Sequence, residues 1–347
     1  MVRFTVLASG SKGNATVVSG GRTRILVDCG LSCRELFRRM KLVDEEPESL
    51  DAILITHEHS DHVGGLAVTA RRLGIPVYFT EGTHRAWMRW LTPRRQMTYA
   101  QWLEQIRRQA AERQAEADAE AEGEPDESDL VETEEGRENE LQVLRLPLAK
   151  LRVAQDDSKE GTEPVERQNE PEPAKAKDPT WLPAVEYFAA GEPFVIGDLS
   201  ISPFTTPHDA ADPVGFVFQS EGVRMGFVTD LGYISPNVKA QLKDLDLLLL
   251  ESNHDLEMLR DGPYPWAVKQ RVMSRVGHLS NEAAAGFLED DYDGQAAYVI
   301  LAHLSESNNL PELARVTAER ALNGRASLMA NRLLLAAQHE PLSSLYF

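Results

Sequence analysis

Cysteine is scarce: Cys29 and Cys33 are the only two in 347 residues. A single pair cannot staple a secreted fold, so a reducing compartment is expected and the apolar core must supply the stability. Their C-x3-C spacing admits a metal or redox pair. Cys29, however, closes an apolar strand, where free cysteine is ordinarily a small buried hydrophobe. Long hydrophobic runs are missing too. The run at residues 245–250 is broken by Asp246 and is far too short to cross a membrane. Residues 1–7 alternate like a short strand and lack the apolar stretch of a secretion leader. A cytoplasmic protein with no membrane partner is expected. Positive charge is in deficit, with 36 Lys+Arg against 55 Asp+Glu and a net charge of −19. That argues against a strongly basic nucleic-acid surface over the whole molecule. The deficit is uneven. Residues 101–180 hold 23 acidic and 11 basic side chains, a net −12, which leaves −7 for all the rest. The excess therefore says little about a catalytic face elsewhere.

What is present is an alternation of strands and helices. Strands are expected at 4–8, 15–18, 24–28, 52–56 and 77–79, with helices at 33–40 and 65–73. After residue 95 the pattern changes. Residues 101–121 are rich in helix formers and read as a polar helix. Residues 122–140 and 155–180 read as flexible, and 141–146 as a lone apolar strand. Regular structure resumes near Trp181. Strands are expected at 194–196, 199–204, 214–219, 224–229, 245–250 and 298–301, with turns at Gly197-Asp198 and Glu221-Gly222. Helices are expected at 236–243, 281–289 and 311–322. The reading is one α/β domain over residues 1–347, interrupted by an acidic, partly disordered insertion at about 95–180. Strand-rich halves on either side of the insertion would suit a duplicated sandwich.

The densest chemical signal is His57-Glu58-His59-Ser60-Asp61-His62, directly after a buried strand. Three of the nine histidines fall in six positions. Imidazole and carboxylate are preferred ligands of zinc and other borderline divalent ions. Alternate positions in an extended turn can point one way, so His57 and His59 can serve one ion. Asp61 and His62 then open a helix and can serve another. His208, Asp230 and His303 each follow a strand, where a rigid sheet aims side chains into one crevice. With the first cluster they are enough for two ions. His84 and His339 read as structural or surface residues.

The sequence His57-x-His59-x-Asp61-His62 followed by Gly64-Gly65 resembles the defining motif of the metallo-β-lactamase superfamily. The order His208, Asp230, His303 resembles its remaining ligand motifs. The resemblance implies a four-layer αββα sandwich with two metal ions. One ion would sit on His57, His59 and His208, the other on Asp61, His62 and His303, with Asp230 bridging. Asp28 matches the strand-end aspartate that supports a histidine ligand from behind. Within the superfamily the chain is most similar to the YycJ/WalJ group of bacterial exonuclease-like proteins. The matching stretches are residues 7–14, Pro207-His208-Asp209-Ala210, residues 251–255, Tyr264-Pro265-Trp266, residues 277–281 and His303-Leu304-Ser305. The insertion departs from that group.

This resemblance implies a phosphodiesterase, and more narrowly a DNA exonuclease, in which a metal-bridging hydroxide attacks phosphorus. Asp61 would orient that hydroxide, His278 would protonate the leaving oxygen and Glu251 would partner His278. Ser280 is a plausible helix N-cap, whose helix would favour bound phosphate. Ser11, Lys12 and Asn14, in a glycine-rich loop, and Asn253 and His254 are candidate substrate contacts. Arg34, Arg38, Arg39, Arg71, Arg72, Arg260, Lys269 and Arg271 are candidates for a basic rim. Zinc, manganese and iron all suit the donor set. The alternative is a small-molecule phosphodiesterase or thioester hydrolase of the same fold, which the negative charge favours. Position 230 is Asp, where lactamases of the superfamily commonly carry Cys. Only 22 positions separate His208 from Asp230 and 73 separate Asp230 from His303. Those distances leave no room for the substrate arm of ribonuclease Z or for a β-CASP cap. The insertion is read as a solvated spacer to one side of the cleft, or as a docking site for a protein partner.

Overall fold

The computed structural model describes residues 1–92, 107–108, 178–322 and 332–347. The expected polar helix at 101–121 (apart from the helical pair 107–108), the strand at 141–146 and the flexible stretches lie outside these residues. The chain divides into two units, Met1–Pro93 with Lys177–Phe347, and Arg94–Ala176. The first carries everything described below.

Fourteen strands are described. They are β1 Arg3–Ala8, β2 Ala15–Ser19, β3 Arg24–Val27, β4 Ala52–Leu54, β5 Val77–Phe79, β6 Val185–Tyr187, β7 Phe194–Ile196, β8 Leu199–Thr205, β9 Val214–Ser220, β10 Val223–Val228, β11 Leu247–Glu251, β12 Tyr298–Ala302, β13 Arg332–Leu335 and β14 Leu345–Tyr346. They form two seven-stranded sheets, β14-β1-β2-β3-β4-β5-β6 and β13-β12-β11-β10-β9-β8-β7. Each sheet is antiparallel in one part (β1 to β3, and β7 to β10) and parallel in another (β3 to β6, and β10 to β13). The insertion does not separate the sheets, as a division into two flanking halves would require. Strand β6 lies beyond it yet pairs with β5, and β14 returns from the far end of the chain to pair with β1.

Both faces of each sheet are covered, so central strands are apolar throughout rather than alternating. In β11, Leu247 and Leu249 face the other sheet among Phe216, Phe218 and Ile300. Leu248 and Leu250 face outward, among Phe287, Leu288 and Leu301. On the other outer side, Leu7, Val17, Leu26 and Ile53 pack under the helices Cys33–Leu42, Leu66–Leu73 and Glu81–Leu91 through Leu36, Met40, Leu66 and Trp87. The result is the four-layer αββα sandwich. The helices Leu256–Asp261 and Trp266–Val272 and strands β6, β13 and β14 are elements that the sequence pattern did not show. The helix Glu81–Leu91 also went unread, although its Thr80 cap and the spacing of Thr83, His84 and Trp87 were visible.

The loop after β3 lies directly on the loop after β4. Asn14 N donates to Asp61 O (2.7 Å), Cys29 N to His62 O (2.7 Å) and Gly65 N to Cys29 O (2.8 Å). So close an approach needs glycine: a Cβ on Gly65 would stand 1.8 Å from Leu31 O, and one on Gly30 1.6 Å from Asp61 O. Gly65→Ala is therefore expected to cost about 1–3 kcal/mol by overpacking against backbone. Gly286→Ala is the control. Nothing lies within 4 Å of its added Cβ, and it sits inside the helix Asn281–Asp290. It should gain up to about 1 kcal/mol of helix propensity. Thermal melts of the two variants should move in opposite directions; a Gly65→Ala melt equal to the parent's would contradict the packing argument.

Candidate metal centre

Six strands end at the site. Asp28 follows β3, His57 follows β4, His208 follows β8, Asp230 follows β10, Glu251 ends β11 and His303 follows β12. Three of these residues, Asp28, Asp230 and His303, have left-handed backbone, with φ of 60°, 58° and 56°. For residues other than glycine that conformation is sparsely populated and is held only where the surroundings enforce it. The other three positive-φ residues besides glycine, Asp44, Glu221 and Asp244, lie away from the site. His59 precedes the one-turn helix Ser60–Val63, which places Asp61 and His62 on its first turns.

The donor atoms converge in two groups. His59 Nδ1 lies 3.1 Å from His57 Nε2 and 3.2 Å from His208 Nε2. Asp61 Oδ2 lies 3.4 Å from both His62 Nε2 and His303 Nε2. Asp230 stands between the groups, with Oδ2 3.4 Å from His62 Nε2 and Oδ1 3.9 Å from His208 Nε2. Four atoms tetrahedrally placed about 2.05 Å from a zinc ion are about 3.3 Å apart. The contacts within each triad match that edge.

Hydrogen bonds behind the rings set which nitrogen faces the site. His208 Nδ1 donates to Gly277 O (3.0 Å), so its Nε2 carries the lone pair. His62 Nδ1 donates to Asp28 Oδ2 (2.7 Å). Asp28 also accepts from Thr56 N (2.9 Å) and the Thr56 hydroxyl (3.0 Å). That hydroxyl in turn accepts from His57 Nδ1 (3.0 Å). His303 Nδ1 donates to Glu251 Oε1 (2.9 Å), and Ser9 Oγ accepts from His303 N (2.7 Å). Four rings thus present Nε2, and His59 presents Nδ1.

The electrostatics suit cations. Burial, joined by the neighbouring imidazoles, holds His57 well below the ordinary histidine value and lowers His59. With both rings held toward the neutral form and His57 Nε2 only 3.1 Å from His59 Nδ1, their lone pairs repel unless a positive ion lies between them. Burial also opposes charge on His62 and His303, but the surrounding carboxylates outweigh it and raise both well above the ordinary value. Asp230 Oδ2 is buried and has no hydrogen-bond partner. A buried carboxylate oxygen left unpaired is costly unless a cation takes it. The donor set therefore fits two divalent ions. Cys29 and Cys33 are buried free thiols outside these groups, and burial pushes Cys29 up to about 12.

A cavity of about 180 Å³ opens on the cluster. His59, Asp61, Asp230 and His303 line it, with His278, Ser11, Asn253, Tyr264, Ser305 and Asn308. His278 Nδ1 donates to Glu251 Oε1 (2.8 Å). Burial opposes its protonation, yet Glu251 raises its pKa. Glu251 is fully buried, and its other oxygen accepts from Leu231 N (2.9 Å) and Leu279 N (3.2 Å). One carboxylate thus fixes both His278 and His303.

The other sequence candidates take different places. Asn14 Nδ2 contacts Asp61 Oδ2 (3.2 Å) and His62 Nε2 (3.0 Å), beside the ligands rather than in the cavity lining. Lys12 is exposed and pairs with Glu306. Ser280 caps its helix by accepting from Ala283 N (3.1 Å). His254 is buried behind the cavity wall, with burial lowering it to about 4. Asn253 does line the cavity, donating to His303 O (2.8 Å). His84 is buried against Tyr187, and His339 is exposed beside Glu306. Sequence reasoning gave no site role to Thr56 or Asn308, and quoted Tyr264 and Ser305 only within matching stretches. Thr56 had a signal, since it directly precedes the histidine run. Asp209 was also unassigned: it ion-pairs with Arg271 and stands 3.5 Å from His208 Nε2.

Residues 8–268 match the family model of the metallo-beta-lactamase superfamily. Exodeoxyribonuclease YycJ of Bacillus anthracis is 29% identical over 321 residues, covering 92% of this chain and 89% of the relative. Exodeoxyribonuclease WalJ of Streptococcus pneumoniae serotype 2 (strain D39 / NCTC 7466) is 29% identical over 315 residues, covering 91% and 86%. The crystal structure of the metallo-beta-lactamase fold protein YhfI from Bacillus subtilis shares the fold, with a TM-score of 0.55 at 14% identity over 99% of both chains.

Glu251→Gln keeps the size of the side chain but cannot accept from two imidazoles and two backbone amides as a carboxylate does. Metal affinity should fall about 10–100-fold, as for outer-shell partners generally. Metal content after dialysis against graded chelator measures this; retention equal to the parent's would contradict the role given to Glu251.

Proposed function

The chain belongs to the metallo-β-lactamase superfamily and is a metal-dependent hydrolase; from that premise we propose that it is a phosphodiesterase that degrades DNA as an exonuclease. The observation that carries the reading is similarity to two exodeoxyribonucleases over about nine-tenths of the chain. The cavity chemistry is consistent with it.

In this reading His57, His59 and His208 would hold one divalent ion and Asp61, His62 and His303 the other, with Asp230 standing between the two groups. Such ions, when bound, polarise a phosphoryl oxygen and bring the pKa of water toward neutrality. The chain's own groups do the rest. Asp61 lines the cavity and can accept a hydrogen bond from the attacking water, orienting it. Glu251 holds His278 by Nδ1, so Nε2 is the nitrogen left to pass a proton to the departing sugar oxygen. Ser11, Asn253, Ser305 and Asn308 offer neutral hydrogen bonds to the non-bridging oxygens and sugar. No helix among the described residues is long and apolar enough to cross a membrane.

A general acid matters only when the leaving group needs a proton. His278→Ala should slow digestion of end-labelled DNA by about 10²–10⁴-fold. It should barely affect a p-nitrophenyl phosphodiester, whose leaving anion is stable. Asp230→Ala should abolish both. Turnover of the small ester by metal-loaded parent with no shortening of DNA would replace the exonuclease reading with a small-molecule hydrolase.

A further inference from the structure

The helices Cys33–Leu42 and Leu66–Leu73 carry six cationic residues and one acidic one, a net +5 in a chain of net −19. Two of the six are committed elsewhere. Arg39 is buried on the carbonyls of Leu7 and Gln338, and Arg71 binds the carbonyls of Asp178, Pro179 and Trp181. The remaining four, Arg34, Arg38, Lys41 and Arg72, are exposed and line a groove of about 520 Å³ between the two helices. Its apolar walls are Phe37 and Val68, with the Arg72 guanidinium 5.1 Å from the Phe37 ring centroid. No carboxylate among the described residues lines it. The lone acidic residue, Glu35, ion-pairs with Arg38 through two hydrogen bonds (2.7 and 2.8 Å) and with Arg39, so Arg34, Lys41 and Arg72 are the cations of the groove without a carboxylate partner among the ion pairs described.

We propose that this groove holds the sugar-phosphate backbone of a DNA strand, the part of the substrate that is not being cleaved. The proposal rests on the nucleic-acid reading above. Charge complementarity selects the occupant. A concave strip of four cations on an otherwise acidic protein suits a polyanion, and the apolar walls offer phosphate no competing partner. The spacing agrees. At a rise of about 1.5 Å per residue, Arg34, Arg38 and Lys41 are spread over roughly 10 Å of helix. The axial rise of a duplex is about 3.4 Å per phosphate of one strand and the winding backbone separates neighbours further, so a row of cations about 10 Å long is enough to meet more than one phosphate. The position agrees as well. Both helices start just after the loops that carry Asp28 and the Asp61-His62 pair, loops joined by the bonds between Cys29, His62 and Gly65. The groove is thus tied through these short connections to the loops that carry the metal-centre residues.

The test is binding of a labelled phosphorothioate strand, which resists cleavage, by the full metal-loaded chain across a salt series. The comparison is a variant combining Arg34→Ala, Lys41→Ala and Arg72→Ala. Removing three phosphate contacts should weaken binding about tenfold or more at low salt and flatten the slope of log K on log salt by about 2. Melting temperature and turnover of a small phosphodiester should not change. Equal affinity and slope in parent and variant overturn the groove, and so does a parent that does not bind the strand. A variant that keeps DNA binding but loses poly-glutamate binding also overturns it, in favour of an acidic polypeptide. The reading it rests on fails separately: groove-dependent binding by a parent that never shortens DNA supports the groove and sinks the exonuclease.

Discussion

The geometry of the centre depends on one repeated interaction, an imidazole Nδ1–H held by a buried oxygen acceptor. Asp28 holds His62 directly and His57 through the Thr56 hydroxyl. Glu251 holds His278 and His303, and Gly277 O holds His208. Each bond fixes a ring's tautomer and its direction, so the lone pairs meet at two points. Glu251 must stay ionised to accept from both of its rings, and Asp61 and Asp230 to serve as ligands. Burial alone would protonate Asp61, Asp230 and Glu251, yet their histidine neighbours hold all three below the ordinary carboxylate range. The charges are mutually dependent: without the carboxylates the rings lose orientation, and without positive partners the carboxylates cannot remain charged in the interior.

The sandwich supplies the rigidity that such a cluster needs. Asp28, His57, His208, Asp230, Glu251 and His303 all stand at the ends of strands covered on both faces. Three of them occupy left-handed backbone, which the flanking sheet enforces. The close contact of the loops after β3 and β4, possible only with Gly30 and Gly65, brings Asp28 under His62. Strain and close approach thus concentrate where direction matters.

The charge of the molecule has to be read by region. A total of −19 points away from nucleic acid, but most of the excess acid belongs to residues 101–180. Within the described unit, the helices Cys33–Leu42 and Leu66–Leu73 gather four exposed cations into a groove, of which Arg38 alone is ion-paired, with Glu35. Arg39 and Arg71, which a sequence count places on the same basic rim, instead spend their guanidinium groups on backbone carbonyls. Lys269 likewise donates to Arg260 O (2.6 Å) and is buried.

The sequence by itself determined most local features: the long apolar strands, the long helices apart from Glu81–Leu91, the histidine run after β4, and the polar residues closing β8, β10 and β12. Each depends on neighbours within a few positions, so period and turn chemistry reveal it. Short edge elements were hidden. Val185-Glu186-Tyr187 is half exposed and becomes a strand only because β5 offers it a parallel partner. The run at 247–250 reads as buried, but only packing decides that Leu247 and Leu249 meet the second sheet while their neighbours meet helices. The resemblance pointed to Glu251 as the partner of His278, but only the tertiary structure decided that the same carboxylate also fixes His303. The imidazole partners of Glu251 lie 27 and 52 residues away. It also separated His278, in the cavity, from His254, behind the wall. In sequence these are two histidines in polar loops. Chain spacing carries no information about which ring a distant carboxylate will reach, because that distance exists only after the sheet has brought the strand ends together.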